Sequence, residues 1–231
     1  MTSPVPALSA FPGRPAAVVC DMDGLLVDSE RLERRVWQAA AAALGVALDD
    51  RRFATFVGHP ADEGERLLAR YYGPAFDVPA FRAACERRMR ALVAAEGVPL
   101  RPGARAWLDF VAELGIPLGL ATSSGPALVA ERLGPLVRRF AAVVTRADVA
   151  RGKPHPDLYL EAARRLGVAP AAALALEDSP TGARAAIAAG MPVVVVPDLV
   201  PPPPEVAVRA AGVYASLDAV RRAAARAWGA A

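Results

Sequence analysis

Lysine is almost missing from this sequence. Of its 27 basic residues one is lysine, Lys153, and the other 26 are arginine. A drift toward arginine explains the avoidance but not the exception. A lysine kept in such a chain is a candidate for a task that a guanidinium cannot perform. Cysteine is scarce too. Cys20 and Cys85 lie far apart, with no CxxC or zinc-type spacing, which excludes a disulfide framework and points to a reducing, cytoplasmic compartment. Extended blocks of like charge are absent, and a net charge of +3 with a pI near 9.2 is only mildly basic. No nucleic-acid-binding arm is therefore expected. The longest uncharged stretch between acidic residues, 114–130, is broken by Pro117, Pro126 and three glycines, so it cannot be a membrane helix. The uncharged opening residues have no basic leading region and carry Pro4, Pro6 and Pro12, which reads as a loose leader and not a signal peptide. No coiled-coil pattern or long exposed apolar segment demands a partner, and a monomer is expected.

What is present is a globular composition. The 231 residues are 54% hydrophobic and 22% charged, enough for one or two domains with a sizeable core. Short apolar runs recur at 16–20, 116–121, 141–145, 173–176, 193–196 and, more weakly, 213–214. Each is apolar on both faces and bounded by polar residues, glycine or proline, the pattern of parallel strands buried between helices. Helical patterns separate them. Over 103–114, Ala106, Trp107, Phe110, Val111 and Leu114 form one stripe; over 157–166, Leu158, Leu160, Ala162 and Leu166 supply apolar faces. The alternation predicts an α/β fold, a Rossmann-like three-layer core with a parallel sheet.

The alternation breaks once. Between the first strand and the rest lie four helical stretches, 30–44, 49–56, 60–72 and 79–96, punctuated by Gly45, Gly58, Gly73-Pro74 and Gly97. The predicted division is a catalytic core of residues 1–27 and 98–231 and an inserted four-helix cap of residues 28–97, read as a lid over the ligand end of the sheet.

Four motifs stand at the predicted C-terminal ends of strands or in the loops beyond them. Asp21-Met22-Asp23-Gly24 follows the first strand. Two carboxylates at i and i+2 point to one side, so one can act as a nucleophile and the other as a proton shuttle. A calcium loop would need a glutamate at its twelfth position, where Leu32 stands. Thr122-Ser123-Ser124-Gly125 ends the second strand and offers a hydroxyl and backbone N–H groups to a phosphate, or simply an N-cap to the next helix. Gly152-Lys153-Pro154-His155-Pro156-Asp157 brings the lone lysine in a proline-braced loop, where His155 reads as a packing or capping residue. Glu177-Asp178-Ser179-Pro180 places adjacent acids at a strand end, an arrangement suited to Mg²⁺ or to capping a helix.

Together these motifs resemble the haloacid dehalogenase superfamily over about residues 16–220. The stretches Asp21–Glu30 and Glu177–Met191 are similar to its β-phosphoglucomutase-like branch with a helical cap. The resemblance implies that Asp21 is the nucleophile that becomes an aspartyl-phosphate and that Asp23 is the general acid/base. It implies that Thr122 and Ser123 hold the phosphoryl oxygens, with Lys153 bridging phosphate and nucleophile. Mg²⁺ would be held by Asp21, the Asp23 carbonyl and Asp178, with Glu177 a direct ligand or a partner of one. Because Asp23 must carry a proton in the first step, activity is expected to fall at high pH.

The second acid selects the reaction within the family. Dehalogenase branches lack it, and Asp23 favours phosphate esters. The phosphonate-cleaving branch needs a cap lysine for a Schiff base, and the one lysine is in the core. Glu33 replaces a first-cap-helix histidine of the phosphomutases, and Val57 stands where they have a lysine before glycine. The expectation is a phosphatase acting on a small phosphorylated metabolite such as a sugar or polyol phosphate. Gly58, His59 and Pro60 are its candidate specificity loop. A sugar phosphomutase is the alternative, and a non-catalytic ligand-binding relative a distant one.

Overall fold

The computed structural model describes residues 11–56, 61–198 and 200–229, with the side chains at 61–63 and 65 left aside. The chain forms two units, one gathering residues up to Val27 with those from Leu100 onward, the other spanning Asp28–Pro99.

The first unit is built on a six-stranded parallel sheet: β1 (Ala17–Cys20), β2 (Leu118–Ala121), β3 (Ala142–Val144), β4 (Ala173–Glu177), β5 (Val193–Val195) and β6 (Gly212–Val213). The spatial order is β3-β2-β1-β4-β5-β6. The order reverses direction at β1, the point where such sheets open a crevice beyond their strand ends. β1 is buried along its whole length and pairs with β2 (Cys20 opposite Leu120) and with β4 (Cys20 opposite Leu176).

In the second unit, α1 (Ser29–Ala43), α2 (Asp50–Ala54), α3 (Ala61–Tyr72) and α4 (Val78–Glu96) follow one another with no strand between them among the described residues. Their core is aromatic: the Trp37 ring meets Phe53, Phe56 and Phe81 at centroid distances of 5.7, 5.6 and 5.4 Å. Asp49 and Asp77 cap α2 and α4 by accepting from Arg52 N and Ala80 N, which satisfies amide donors that the helices cannot.

The remaining helices return to the first unit: α5 (Ala104–Glu113), α6 (Pro126–Leu133), α7 (Asp157–Leu166), α8 (Pro180–Ala188), α9 (Pro204–Ala207) and α10 (Leu217–Trp228). α7 and α8 cover the sheet face that carries Ala17, Val19, Ala121, Ala173 and Ala175, an alanine-rich face that admits close helix approach. Cys20, of opposite parity, meets Trp107 of α5, and α5 packs with α10. The sheet is thus covered on both faces, as its uninterrupted apolar strands require.

Two positions depart from the sequence reading. On α5 the buried stripe is Ala104, Trp107, Leu108, Phe110 and Val111, while Ala106 is exposed. On α7 Leu158 and Ala162 are buried with Tyr159 and Ala163, but Leu160 is 42% exposed. Two residues on from Leu158 is about 200° around a helix, so both cannot face the sheet. No helix among the described residues is long and apolar enough to cross a membrane.

Candidate active site

β1, β2 and β4 are neighbours, so the loops leaving their C-terminal ends are neighbours too. Asp21 N donates to Leu176 O at 3.0 Å, and Thr122 N to Val144 O at 3.0 Å, which continues the ladder just past the strands. The next residues then turn. Gly24 N donates to Val27 O at 2.9 Å, while Leu26 N and Val27 N return to Met22 O at 2.9 and 3.0 Å. Gly24 has a φ of +80°, and a Cβ there would collide with the Asp178 carboxylate. The turn thus needs glycine twice over, for its dihedral and for the acid that packs on it.

The two aspartates of the first motif are pulled apart by different cations. Asp21 is buried and pairs through Oδ1 with Lys153 Nζ. The same ammonium donates to Glu177 Oε1 at 2.6 Å and lies 5.3 Å from the Tyr159 ring centroid, with only 6% of the lysine side chain exposed. Asp23 turns to the β2 side instead. Its Oδ2 accepts from Ser124 Oγ at 2.7 Å and its Oδ1 from Arg132 Nη1.

Glu177, fully buried at the end of β4, has every lone pair engaged. Oε1 accepts from Lys153 and, at 2.6 Å, from Tyr159 OH; Oε2 accepts from Ser179 N at 3.3 Å and Ser179 Oγ at 3.1 Å. Four donors fill the capacity of a carboxylate. Ser179 Oγ also accepts from Gly182 N at 3.1 Å and so caps α8. A Cβ on Gly182 would overlap the Glu177 carboxylate itself. Gly182→Ala is therefore expected to cost about 1–3 kcal/mol by overpacking, read as a lowered melting temperature, with activity falling as Glu177 is displaced. An alanine variant with unchanged melting and turnover would contradict this.

The electrostatics follow from burial and crowding. Burial pushes the Asp21 carboxyl up to about 8, against the pull of Lys153 and with the help of the Glu177 and Asp23 charges. Burial works against the Lys153 ammonium as well, but Asp21 and Glu177 outweigh it and hold its pKa above the ordinary lysine value. Burial and the Glu177 charge raise the Tyr159 hydroxyl far above its usual range, so it remains a donor. Oxygens of Asp21, Glu177 and Asp178 lie within 4.8 Å of one another, a spacing that could hold a metal ion.

Of the residues expected from sequence, Asp21, Asp23, Thr122, Lys153, Glu177 and Asp178 belong to these converging loops. Thr122 is buried and its Oγ1 accepts from Ser124 N at 3.0 Å, so its own proton is left to donate. Ser123 is exposed on the same loop, and His155 is exposed on the lysine loop. Gly58, His59 and Pro60 lie outside the described residues. The sequence alone assigns no role to the Ser124 hydroxyl, Arg132 or Tyr159. Ser124 stood inside a recognised motif; Arg132 and Tyr159 carried no signal of their own.

A family model described as haloacid dehalogenase-like hydrolase matches residues 15–190. Protein CbbY (plasmid) of Cupriavidus necator is 36% identical over 199 residues, 78% of this chain and 78% of that protein. Hexitol phosphatase B of Escherichia coli (strain K12) is 36% identical over 186 residues, 78% of this chain and 83% of that protein. The crystal structure of a HAD family hydrolase from Deinococcus radiodurans R1, with bound phosphate and sodium, matches with a TM-score of 0.80 at 32% identity. That match covers 94% of this chain and 97% of the other.

Proposed function

The chain belongs to the haloacid dehalogenase-like hydrolases and acts on phosphate esters, and from that premise we propose that it is a Mg²⁺-dependent phosphatase of small phosphorylated sugars or polyols, working through an aspartyl-phosphate on Asp21. The observation that carries this reading is the division of the two aspartates. Asp21 is held by Lys153 against Glu177, while Asp23 is held apart by Ser124 and Arg132. Two carboxylates two residues apart thus have separate environments, as separate nucleophilic and proton-transfer roles require.

Mg²⁺ suits the residues present. Oxygens of Asp21, Glu177 and Asp178 converge within 4.8 Å, and burial pushes Asp21 toward its protonated form, which a bound cation would oppose. The donors are hard oxygens. Because the Glu177 oxygens already accept from Lys153, Tyr159 and Ser179, Asp21, Asp178 and the Asp23 carbonyl are the ligands in this reading, and Glu177 orients Lys153. The bound cation would neutralise charge on the phosphoryl oxygens and keep Asp21 ionised.

The remaining steps fall to the chain's own groups. Thr122 and the Ser123 N–H orient the phosphoryl oxygens, with Lys153 offsetting their charge. An Asp21 oxygen attacks phosphorus as the P–O bond to the leaving alcohol breaks, and Asp23 gives that oxygen its proton. Asp23 then takes a proton from a water that attacks phosphorus, releasing phosphate and restoring Asp21. Cys20 and Cys85 are both free thiols, in keeping with a cytoplasmic setting.

The test is a phosphate-release screen over phosphorylated sugars and polyols, run beside an assay for conversion of β-glucose 1-phosphate to glucose 6-phosphate. Release of phosphate without isomerisation is the expected result; efficient isomerisation would make the protein a phosphomutase. EDTA should abolish turnover and added Mg²⁺ restore it. Undiminished activity in EDTA would remove the metal from the reading.

A further inference from the structure

Arg132 is one of 26 arginines, and it lies in the last turn of α6, where a basic residue ordinarily needs no further explanation than the helix dipole. Its contacts say more. The guanidinium pairs with Asp23, 109 positions earlier in the chain, and only 11% of the arginine side chain and 23% of the aspartate side chain are exposed. A pair so sheltered loses much of its hydration, and such pairs return little net stability. The contact is a poor device for holding the fold together, and it ends on the one carboxylate that must transfer protons.

We propose that Arg132 is a positioning residue for Asp23. This rests on the reading of Asp23 as the general acid/base. The carboxylate has two oxygens, and both are held from the β2 side, Oδ1 by Arg132 and Oδ2 by Ser124 Oγ. The Asp23–Val27 turn sets the backbone, through Gly24 N to Val27 O at 2.9 Å, but leaves the side-chain torsions open. Arg132 limits them. It keeps Asp23 away from Lys153, the cation that serves Asp21, and so prevents the two carboxylates from sharing one ammonium. A carboxyl group kept in one orientation meets the leaving oxygen without a search through rotamers, the advantage that fixed geometry gives a proton transfer.

The role predicts a dependence on the leaving group. p-Nitrophenolate departs readily without a proton, whereas phenolate needs one more. For kcat/KM, which reports the formation of the phospho-enzyme, Arg132→Ala should lose more than ~10-fold on phenyl phosphate but less than ~3-fold on p-nitrophenyl phosphate, as expected for impaired acid catalysis. Arg132→Lys, which keeps the charge but offers a point donor in place of a fork, should fall between. Asp23→Asn is the reference and should lose ~10²–10⁴-fold on phenyl phosphate, with a smaller loss on the nitro ester. If Asp23→Asn discriminates the two esters and neither Arg132 variant does, the positioning role is overturned, whether the variants lose both substrates equally or lose neither. If Asp23→Asn itself fails to discriminate, the acid/base reading falls and the Arg132 proposal falls with it.

Discussion

Asp21→Asn is expected to abolish phosphate release, with a loss of at least ~10³-fold in kcat on any ester the enzyme hydrolyses, of the size seen when a covalent nucleophile is removed. The substitution is nearly isosteric. The amide oxygen can still accept from Lys153, which keeps its second carboxylate partner, Glu177, at 2.6 Å. What disappears is the charge and the nucleophilic oxygen pair. Stability should move the other way. Burial and the neighbouring carboxylates already penalise the Asp21 anion, so a neutral side chain there relieves crowding, and the melting temperature should hold or rise. Loss of activity with retained or increased stability is the mark of a residue kept for chemistry at the cost of the fold. Residual turnover near wild type would remove Asp21 as nucleophile, and a variant that fails to fold would mean that the cluster depends on its charge.

How much of this was legible beforehand depended on whether a residue's reason was local. The strands could be read because each is short, apolar on both faces and punctuated. Lys153 could be read because nothing else in the chain is like it. The acids at 21, 23, 177 and 178 could be read from their place at strand ends. Arg132 could not, since nothing in the chain separates it from 25 other arginines and its partner is 109 positions away. Tyr159 carries no signal in the sequence, and only the fold brings its hydroxyl to Glu177. Gly182 has the same history. Glycine after proline and threonine in a first helical turn says little, until the Glu177 carboxylate is seen to occupy the space of its Cβ. The helix stripes were right in type and wrong at Ala106 and Leu160, because apolar character alone does not say which alanine or leucine meets the sheet.

Lys153 is the site where composition and geometry make the same demand, and substitution there should damage stability and catalysis separably. Lys153→Met leaves Glu177 fully buried beside Asp21 with no cation against it. Removing one partner of a buried pair costs about 3–5 kcal/mol, visible as a lower denaturation midpoint. Adding Glu177→Gln removes the stranded charge, and the double variant should recover part of that loss, since Tyr159 and Ser179 can still bond the amide. Activity should not recover in either, because the charge that offsets the phosphate is gone. Lys153→Arg is the sharper test. The chain accepts arginine everywhere else a cation stands, so drift alone would have placed one here. The pocket is closed by the Tyr159 ring at 5.3 Å and by carboxylates on two sides. A compact ammonium can turn a third donor toward a phosphate from that position, but a planar guanidinium is wider and directs its donors in one plane. Lys153→Arg should thus keep more stability than Lys153→Met while losing activity by a comparable factor. An arginine variant with near wild-type turnover would show that position 153 requires only positive charge, and that the survival of a single lysine there is accidental.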